Sequence, residues 1–287
     1  MHRFLIIGFG KLGSSLGRFL LNAGSRSLLV VDSQPYQTLF GNVVERDKYF
    51  NMLSEATVAD ASFIFICTSD DHIPSVAKQL SSYELKNKYI VHTSGAVDVQ
   101  PLVFLREQGA KVGSFHPLQT FNEMFLSAER WHSVFCTFQG DGSVLRDLRK
   151  IFDKVNTQII AVTGAQKQAV HLAATITANF QAALFSWATE IIGQSGLEDF
   201  PVGKMLGPLV RQVTENVIEK PLPAILSGPL QRGDLQTIRR HVQYLRQSKD
   251  AMALELYRLL CLKLLQNRQF PIKNRKQLQD YFDSLEK

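Results

Sequence analysis

The sequence predicts an α/β fold in which a doubly wound parallel sheet is followed by an all-helical second domain. Three observations carry this expectation. Short runs that are apolar throughout alternate with helical patterns over the first half of the chain, as in parallel sheets covered on both faces. The second half loses those runs and keeps only helical ones. With 287 residues the chain is long enough for two ordinary domains.

Phe4 to Ile7 reads as a buried strand, and Leu12 to Asn22 as a helix stopped at Ala23-Gly24. Ser27 to Val31 is a second strand, closed by Asp32. Val58 to Asp60 leads into a continuous apolar strand, Ser62 to Cys67, and Ile73 to Leu80 follows as a helix. Tyr89 to His92 and Ala110 to Ser114 are further strands. Ser133 to Phe138 and Gln158 to Val162 complete the set, with a helix from Val144 to Val155 between them. Right-handed βαβ crossovers then wind the sheet in both directions.

After Gly164 the pattern changes. Ala165 to Gln194 contains no Pro, and no Gly before Gly193, so it reads as one long helix. Its small residues (Ala173, Ala174, Ala178, Ala182, Ala183) permit close approach of another helix, and a homodimer is expected through them. Further helices are expected at Val202 to Lys220, Leu235 to Gln247, Ser248 to Gln266 and Lys276 to Leu285. The domains are therefore set at 1–163 and 164–287.

Composition narrows the classes of partner. Hydrophobic residues make up 45% and charged ones 20%, a globular mix that excludes disordered and collagen-like chains. The net charge of +6 is spread along the sequence, its densest stretch being Lys273-Asn274-Arg275-Lys276. A nucleic-acid surface needs a clustered basic face with aromatic platforms, so no nucleic-acid partner is expected. Cys67, Cys136 and Cys261 lie far apart with no CxxC spacing, which suits core residues in a reducing compartment and no metal site. No run of about 18 apolar residues exists to span a bilayer. The expectation is a cytoplasmic protein without a membrane partner.

Gly8-Phe9-Gly10-Lys11-Leu12-Gly13 follows the first strand and opens the first helix, the context in which a G-x-G-x-x-G run holds a dinucleotide. The first Gly allows the turn, the second lets backbone approach a pyrophosphate, and the third allows close helix–strand packing. The free N–H groups and dipole at the helix start favour phosphate. Together these features define the sheet as Rossmann-type. Asp32 ends the second strand, where a carboxylate accepts ribose hydroxyls and repels a 2′-phosphate. NAD is favoured over NADP on that ground, although Ser33 beside it suits a phosphate. Lys11 is either a phosphate contact or an exposed loop lysine.

Thr68-Ser69-Asp70-Asp71, Val91-His92-Thr93-Ser94-Gly95 and Ser114-Phe115-His116-Pro117 each follow a strand. Ligands bind at the carboxyl ends of such strands, so Thr68 and Ser69 are assigned to the cofactor. Asp70 and Asp71 are expected to cap the following helix, and Cys67 to be core. Ser94 and Gly95 can offer a hydroxyl and a backbone N–H to a substrate carboxylate. His116 is held extended by Pro117, which aims its imidazole. In the long helix Lys167, His171, Thr175 and Asn179 recur every four residues, placing Lys167 and His171 on adjoining turns. A reductase must protonate the alkoxide formed as hydride arrives, and a lysine of lowered pKa or an imidazole can do so. Arg232, in Ser227–Asp234, can pair with a carboxylate, and Asp234 is placed to cap the next helix.

Taken together these motifs resemble a Rossmann-like family within the 6-phosphogluconate dehydrogenase-like superfamily, whose helical C-terminal domain is of long-unassigned function. The resemblance spans nearly the whole chain. It rests on the glycine loop, Ser69-Asp70-Asp71, His92 to Gly95, His116-Pro117-Leu118-Gln119-Thr120-Phe121, Lys167 with His171 and Asn179, and Gly228-Pro229 with Arg232-Gly233-Asp234. It implies an NAD(P)-dependent oxidoreductase, some relatives being similar to an alternative ketopantoate reductase. The better-known ketopantoate reductases place a Lys at the start of this helix and an Asn four positions later. Lys167 matches the first, whereas position 171 is His. They usually use NADPH, in conflict with Asp32. The reading is hydride transfer to a small 2-keto acid, ketopantoate first. In it Lys167 donates the proton, His171 orients the substrate, and Ser94, Gly95 and His116 line its carboxylate or hydroxyl side. Asn179 and Arg232 are further substrate candidates. Two alternatives remain open: a prephenate-dehydrogenase-like enzyme and a nucleotide-binding regulator without turnover.

Overall fold

The computed structural model describes residues 2–25, 27–197 and 199–286. By contacts the chain divides into two compact units, Met1–Asn179 and Phe180–Lys287.

In the first unit the strands are β1 (Phe4–Ile7), β2 (Leu28–Val31), β3 (Tyr49–Phe50), β4 (Phe63–Ile66), β5 (Tyr89–His92), β6 (Lys111–Pro117), β7 (Phe135–Gly140) and β8 (Gln158–Ala161). They form one sheet in the order β3-β2-β1-β4-β5-β6-β7-β8. Its helices are α1 (Lys11–Asn22), α2 (Glu55–Asp60), α3 (Ile73–Leu80), α4 (Gly142–Phe152) and α5 (Gly164–Ala174). The apolar runs alternate between two cores. Phe4, Ile6, Phe63 and Phe65 face Leu16, Phe19 and Leu20 of α1 and Leu148 and Phe152 of α4. Leu5, Ile7, Ile64 and Ile66 face Ile73, Val76, Ala77 and Leu80 of α3. Both faces being covered, polar residues would gain nothing on either, hence the runs without alternation.

Three local expectations are corrected. The sheet is parallel except at β6–β7, which pair antiparallel with His116 opposite Thr137. An apolar run reports two-sided burial, not direction. The link from β6 to β7 carries a 3₁₀ turn, Ala128–Trp131, and no α-helix, so the chain returns beside β6 without the crossover helix that a parallel partner uses. Val58 to Asp60 is not a lead-in but the end of α2, whose start is closed by a reciprocal cap between Ser54 and Thr57. The long helix runs unbroken as expected but is not α-helical throughout. A π-helical turn, Thr175–Asn179, separates α5 from α6 (Phe180–Gln194).

That turn is also where the first unit ends, so the unit boundary falls beyond the expected 163/164. Strands stop at Ala161, but α5 belongs by contacts to the sheet-bearing unit. The end of a strand pattern marks a change of local geometry, not of tertiary contact.

The second unit contains α6, α7 (Val202–Glu219), α8 (Pro229–Arg232), α9 (Leu235–Arg246), α10 (Ala253–Gln266) and α11 (Arg275–Asp283). Its core joins Ile238 of α9, Cys261 and Leu265 of α10, and Leu278 and Phe282 of α11. Asp234 caps α9 through Thr237, as expected. Among the described residues no helix is long and apolar enough to cross a membrane.

Candidate active site

Two of the clefts in the first unit are lined by residues that the sequence singled out. The first, of about 540 Å³, lies over the carboxyl ends of β1, β2 and β4 and is lined by Gly8, Gly10, Asp32, Ser33, Thr68 and Ser69 among others. Gly8 has φ +93°, and a Cβ there would stand 2.8 Å from the Thr68 nitrogen. A Cβ on Gly13 would fall 2.0 Å from the Gly8 carbonyl oxygen. Both positions therefore exclude any side chain, whereas Gly10 faces open space. Gly10 is also the N-cap of α1, which has no side-chain cap and no acid in its first turn. The helix start is thus open to an anion. Thr68 adds a buried hydroxyl oxygen that has no hydrogen-bond partner. An open backbone cradle, an uncapped helix and an orphaned hydroxyl fit a dinucleotide pyrophosphate.

The remaining loop residues divide by role. Phe9 lies in the core against Phe40, Tyr49 and Phe125, and its N–H donates to Asp32. It shapes the turn from within and offers the cleft neither ring nor amide. Leu12 likewise packs against the core. Lys11 is exposed. Asp32 accepts from Phe9 with one oxygen and from Gln34 N–H with the other at 2.8 Å. Its carboxylate first ties β2 to the glycine loop and faces the cleft with its remaining lone pairs. Ser69 engages His72 Nδ1 at 2.7 Å. Neither Asp70 nor Asp71 caps a helix by its side chain, against expectation, because Ser69 takes the N-cap position of the intervening turn.

The second cleft, of about 680 Å³, is lined by His116, Leu118 to Phe121, His171 and the π turn including Asn179. A loop after β5 runs along its edge. His92, wholly buried, approaches the Asp98 carbonyl with Nε2 at 2.7 Å. A carbonyl only accepts, so Nε2 carries the proton, and Nδ1 accepts Ser94 N–H at 3.3 Å. Ser94 Oγ accepts the N–H groups of Ala96 and Val97, so this hydroxyl closes a turn before it meets any substrate. The Ser94 carbonyl accepts a hydrogen bond from Lys167 Nζ at 2.6 Å.

Lys167 is 1% exposed. Burial pulls its pKa down to about 8, while the carboxylates of Asp70 and Asp98 oppose that fall. His116 approaches the Thr93 carbonyl with Nδ1 at 3.4 Å, which puts its proton on Nδ1 and leaves Nε2 as a lone pair. Burial, and secondarily the Lys167 ammonium, hold its pKa near 4. Its ring stands edge-on to His171, centroids 5.6 Å apart. Gly95 makes this possible, since a Cβ there would lie 2.4 Å from His171 Nδ1 and 2.8 Å from His116 Nε2. His171 Nδ1 is buried without a partner.

The structure thus brings Ser94, Gly95, His116, Lys167 and His171 together, with Asn179 on the wall of the same cleft. Arg232 belongs to the second unit, where it is exposed on α8. His92 and Asp98 had no assigned role in the sequence. A histidine inside an apolar strand signals a buried, directed ring, but its partner at Asp98 is legible only in three dimensions.

Residues 3–95 match the family described as NADP oxidoreductase, coenzyme F420-dependent. Residues 134–264, from β7 into α10, match a domain of unknown function, DUF2520. The chain joins an NADP-oxidoreductase Rossmann domain to a DUF2520 domain. No curated protein matches this two-domain chain. Among solved structures, a Bacteroides fragilis protein described as an NADP oxidoreductase is 20% identical, with TM-score 0.72, covering 92% of this chain and 97% of its own. A reductive aminase from Aspergillus terreus, solved with NADPH and ethyl-5-oxohexanoate, is 15% identical at TM-score 0.65, covering 98% and 99%. Prephenate dehydrogenase from Aquifex aeolicus is 17% identical at TM-score 0.54, covering 92% and 98%. At these identities the likeness is one of fold.

Proposed function

We propose that this Rossmann–DUF2520 chain reduces the carbonyl of a small 2-keto acid, ketopantoate being the first candidate, with NADH as reductant. The observation that carries the reading is Lys167: an ammonium buried beside the second cleft, its pKa lowered to about 8 by that burial. At neutral pH it is still protonated, yet close enough to its pKa to release the proton readily. A reduced nicotinamide supplies the hydride when bound. Lys167 then delivers a proton to the developing alkoxide, and rates fall as pH rises through about 8. The unpartnered His171 Nδ1 orients the substrate oxygen. Gly95 keeps both imidazoles at one point, and Asn179 bounds the far wall. Among the described residues no Lys or Arg lines the first cleft, which together with Asp32 supports NAD over NADP.

The test is NADH and NADPH oxidation by the purified protein with ketopantoate. Lys167→Ala is expected to lower kcat by about 10²–10⁴-fold, the range for losing a general acid. Equal rates in variant and parent would remove Lys167 from the chemistry. Silence with ketopantoate and turnover of prephenate with NAD would favour the dehydrogenase reading. One feature supports that alternative: His116 presents a lone pair, which suits a base accepting a proton from a hydroxyl.

A further inference from the structure

His92 lies outside the reacting groups, yet it touches both ends of the loop on which they depend. Its Nε2–H holds the Asp98 carbonyl and its Nδ1 holds the Ser94 N–H. Between those points the loop carries the Ser94 carbonyl that receives Lys167 and the Gly95 surface that seats His116 and His171. It also carries the Asp98 carboxylate. A ring that donates at one end and accepts at the other can bridge this loop in only one tautomer, so the loop has one register. We propose that His92 is the positioning residue of this site, clamping the Ser94–Asp98 loop so that the Ser94 carbonyl holds Lys167 under cover.

The inference rests on Lys167 being the proton donor, but its geometry does not depend on the substrate. Lys167 is faced by Asp70 from the turn after β4 and Asp98 from the clamped loop, whose charges raise its pKa. His92 on β5 and His116 on β6 face it as well, and the ammonium helps keep both neutral. His171 lies on its own helix. Replacing His92 removes a ring that is already neutral at pH 8, and it leaves Asp70, His116 and His171 in place. What changes is water, which enters around Nζ once the Ser94 carbonyl is free to move, and solvation favours the charged amine.

The experiment reads Lys167 directly, without turnover. Protein labelled at lysine Cε is titrated by NMR, the Lys167 signal being identified by its loss in Lys167→Ala. In the parent the midpoint is expected near 8. In His92→Ala it is expected to rise by at least about one pH unit, towards the ordinary lysine value. In His92→Gln, whose amide can donate to Asp98 and accept from Ser94, it is expected to stay close to the parent. A midpoint in His92→Ala equal to the parent overturns the proposal. So does an equal rise in both variants, since that would make ring volume rather than the two hydrogen bonds responsible. Thermal melting of each variant identifies any that fails to fold. In that case the Gln variant decides alone, by whether its midpoint remains near 8. Because the measurement needs no substrate, an inactive but correctly titrating parent would refute the keto-acid reading and leave His92 in place.

Discussion

Gly95 shows how much a single residue controls here. Adding one methyl would drive it into His171 Nδ1 and His116 Nε2, and both rings would have to turn away from the cleft. Misplacement by about an ångström costs on the order of 100-fold in rate. Gly95→Ala is therefore expected to lose at least that much in kcat/KM while its cofactor dissociation constant, read by fluorescence titration, barely changes. A second prediction follows from the buried histidines. His92 and His116 have folded pKa values near 4, below the ordinary value near 6.5. Between those limits the unfolded chain binds more protons, so stability is complete above about pH 6.5 and falls as pH drops towards 4. Each ring contributes on the order of 1–3 kcal/mol to that loss. Urea unfolding at pH 7 and pH 4.5 measures it. Replacing His116 by Gln should flatten the difference, and an undiminished slope would show that other groups cause it.

At the scale of elements, α1 does more than present its N-terminus. Ser14 and Ser15, both fully buried, accept the N–H groups of Phe125 and Leu126, and Arg18 donates to the Phe125 carbonyl. The segment between β6 and β7 is thereby tied to α1, and its first residues, Leu118 to Phe121, form a wall of the second cleft. Ser14→Ala with Ser15→Ala leaves two backbone donors without these acceptors, at a cost of about 1–3 kcal/mol each. The expected result is a lowered urea midpoint together with a raised KM for the substrate. A lowered midpoint alone would separate the loop from the cleft. The π turn is a second element-scale feature. Such turns recur at functional sites, and this one forms the cleft wall from Thr175 to Asn179.

At the scale of the whole molecule, much apolar surface has no cover. Leu209, Val213 and Val217 recur along α7 and are 63%, 45% and 54% exposed. Of the alanines read as a packing stripe, Ala173, Ala178, Ala182 and Ala183 are exposed and Ala174 is half-buried. Exposed apolar residues recurring along one helix, as on α7, mark an interaction site, and a second copy of the chain is the occupant expected here. Light scattering should return twice the chain mass. Leu209→Asp with Val213→Asp should halve it, and a monomeric parent would reject the dimer.

The positions of most strands were legible from the sequence, because two-sided burial forces a run of apolar residues whatever the neighbours are. The glycine loop was legible for a similar reason: a turn pressed against Thr68 and against its own carbonyl tolerates no Cβ. Lys167, His171 and His116 could be named from spacing and from the strand ends. What spacing could not express is direction and partnership. Only the tertiary structure turns β7 against β6, ends the first unit within the long helix and gives Asp32 two backbone donors. It alone joins Ser94 to Lys167, 73 residues further along the chain. Local geometry is written in short-range pattern, whereas a hydrogen bond between residues far apart in the chain depends on the packing that brings them together.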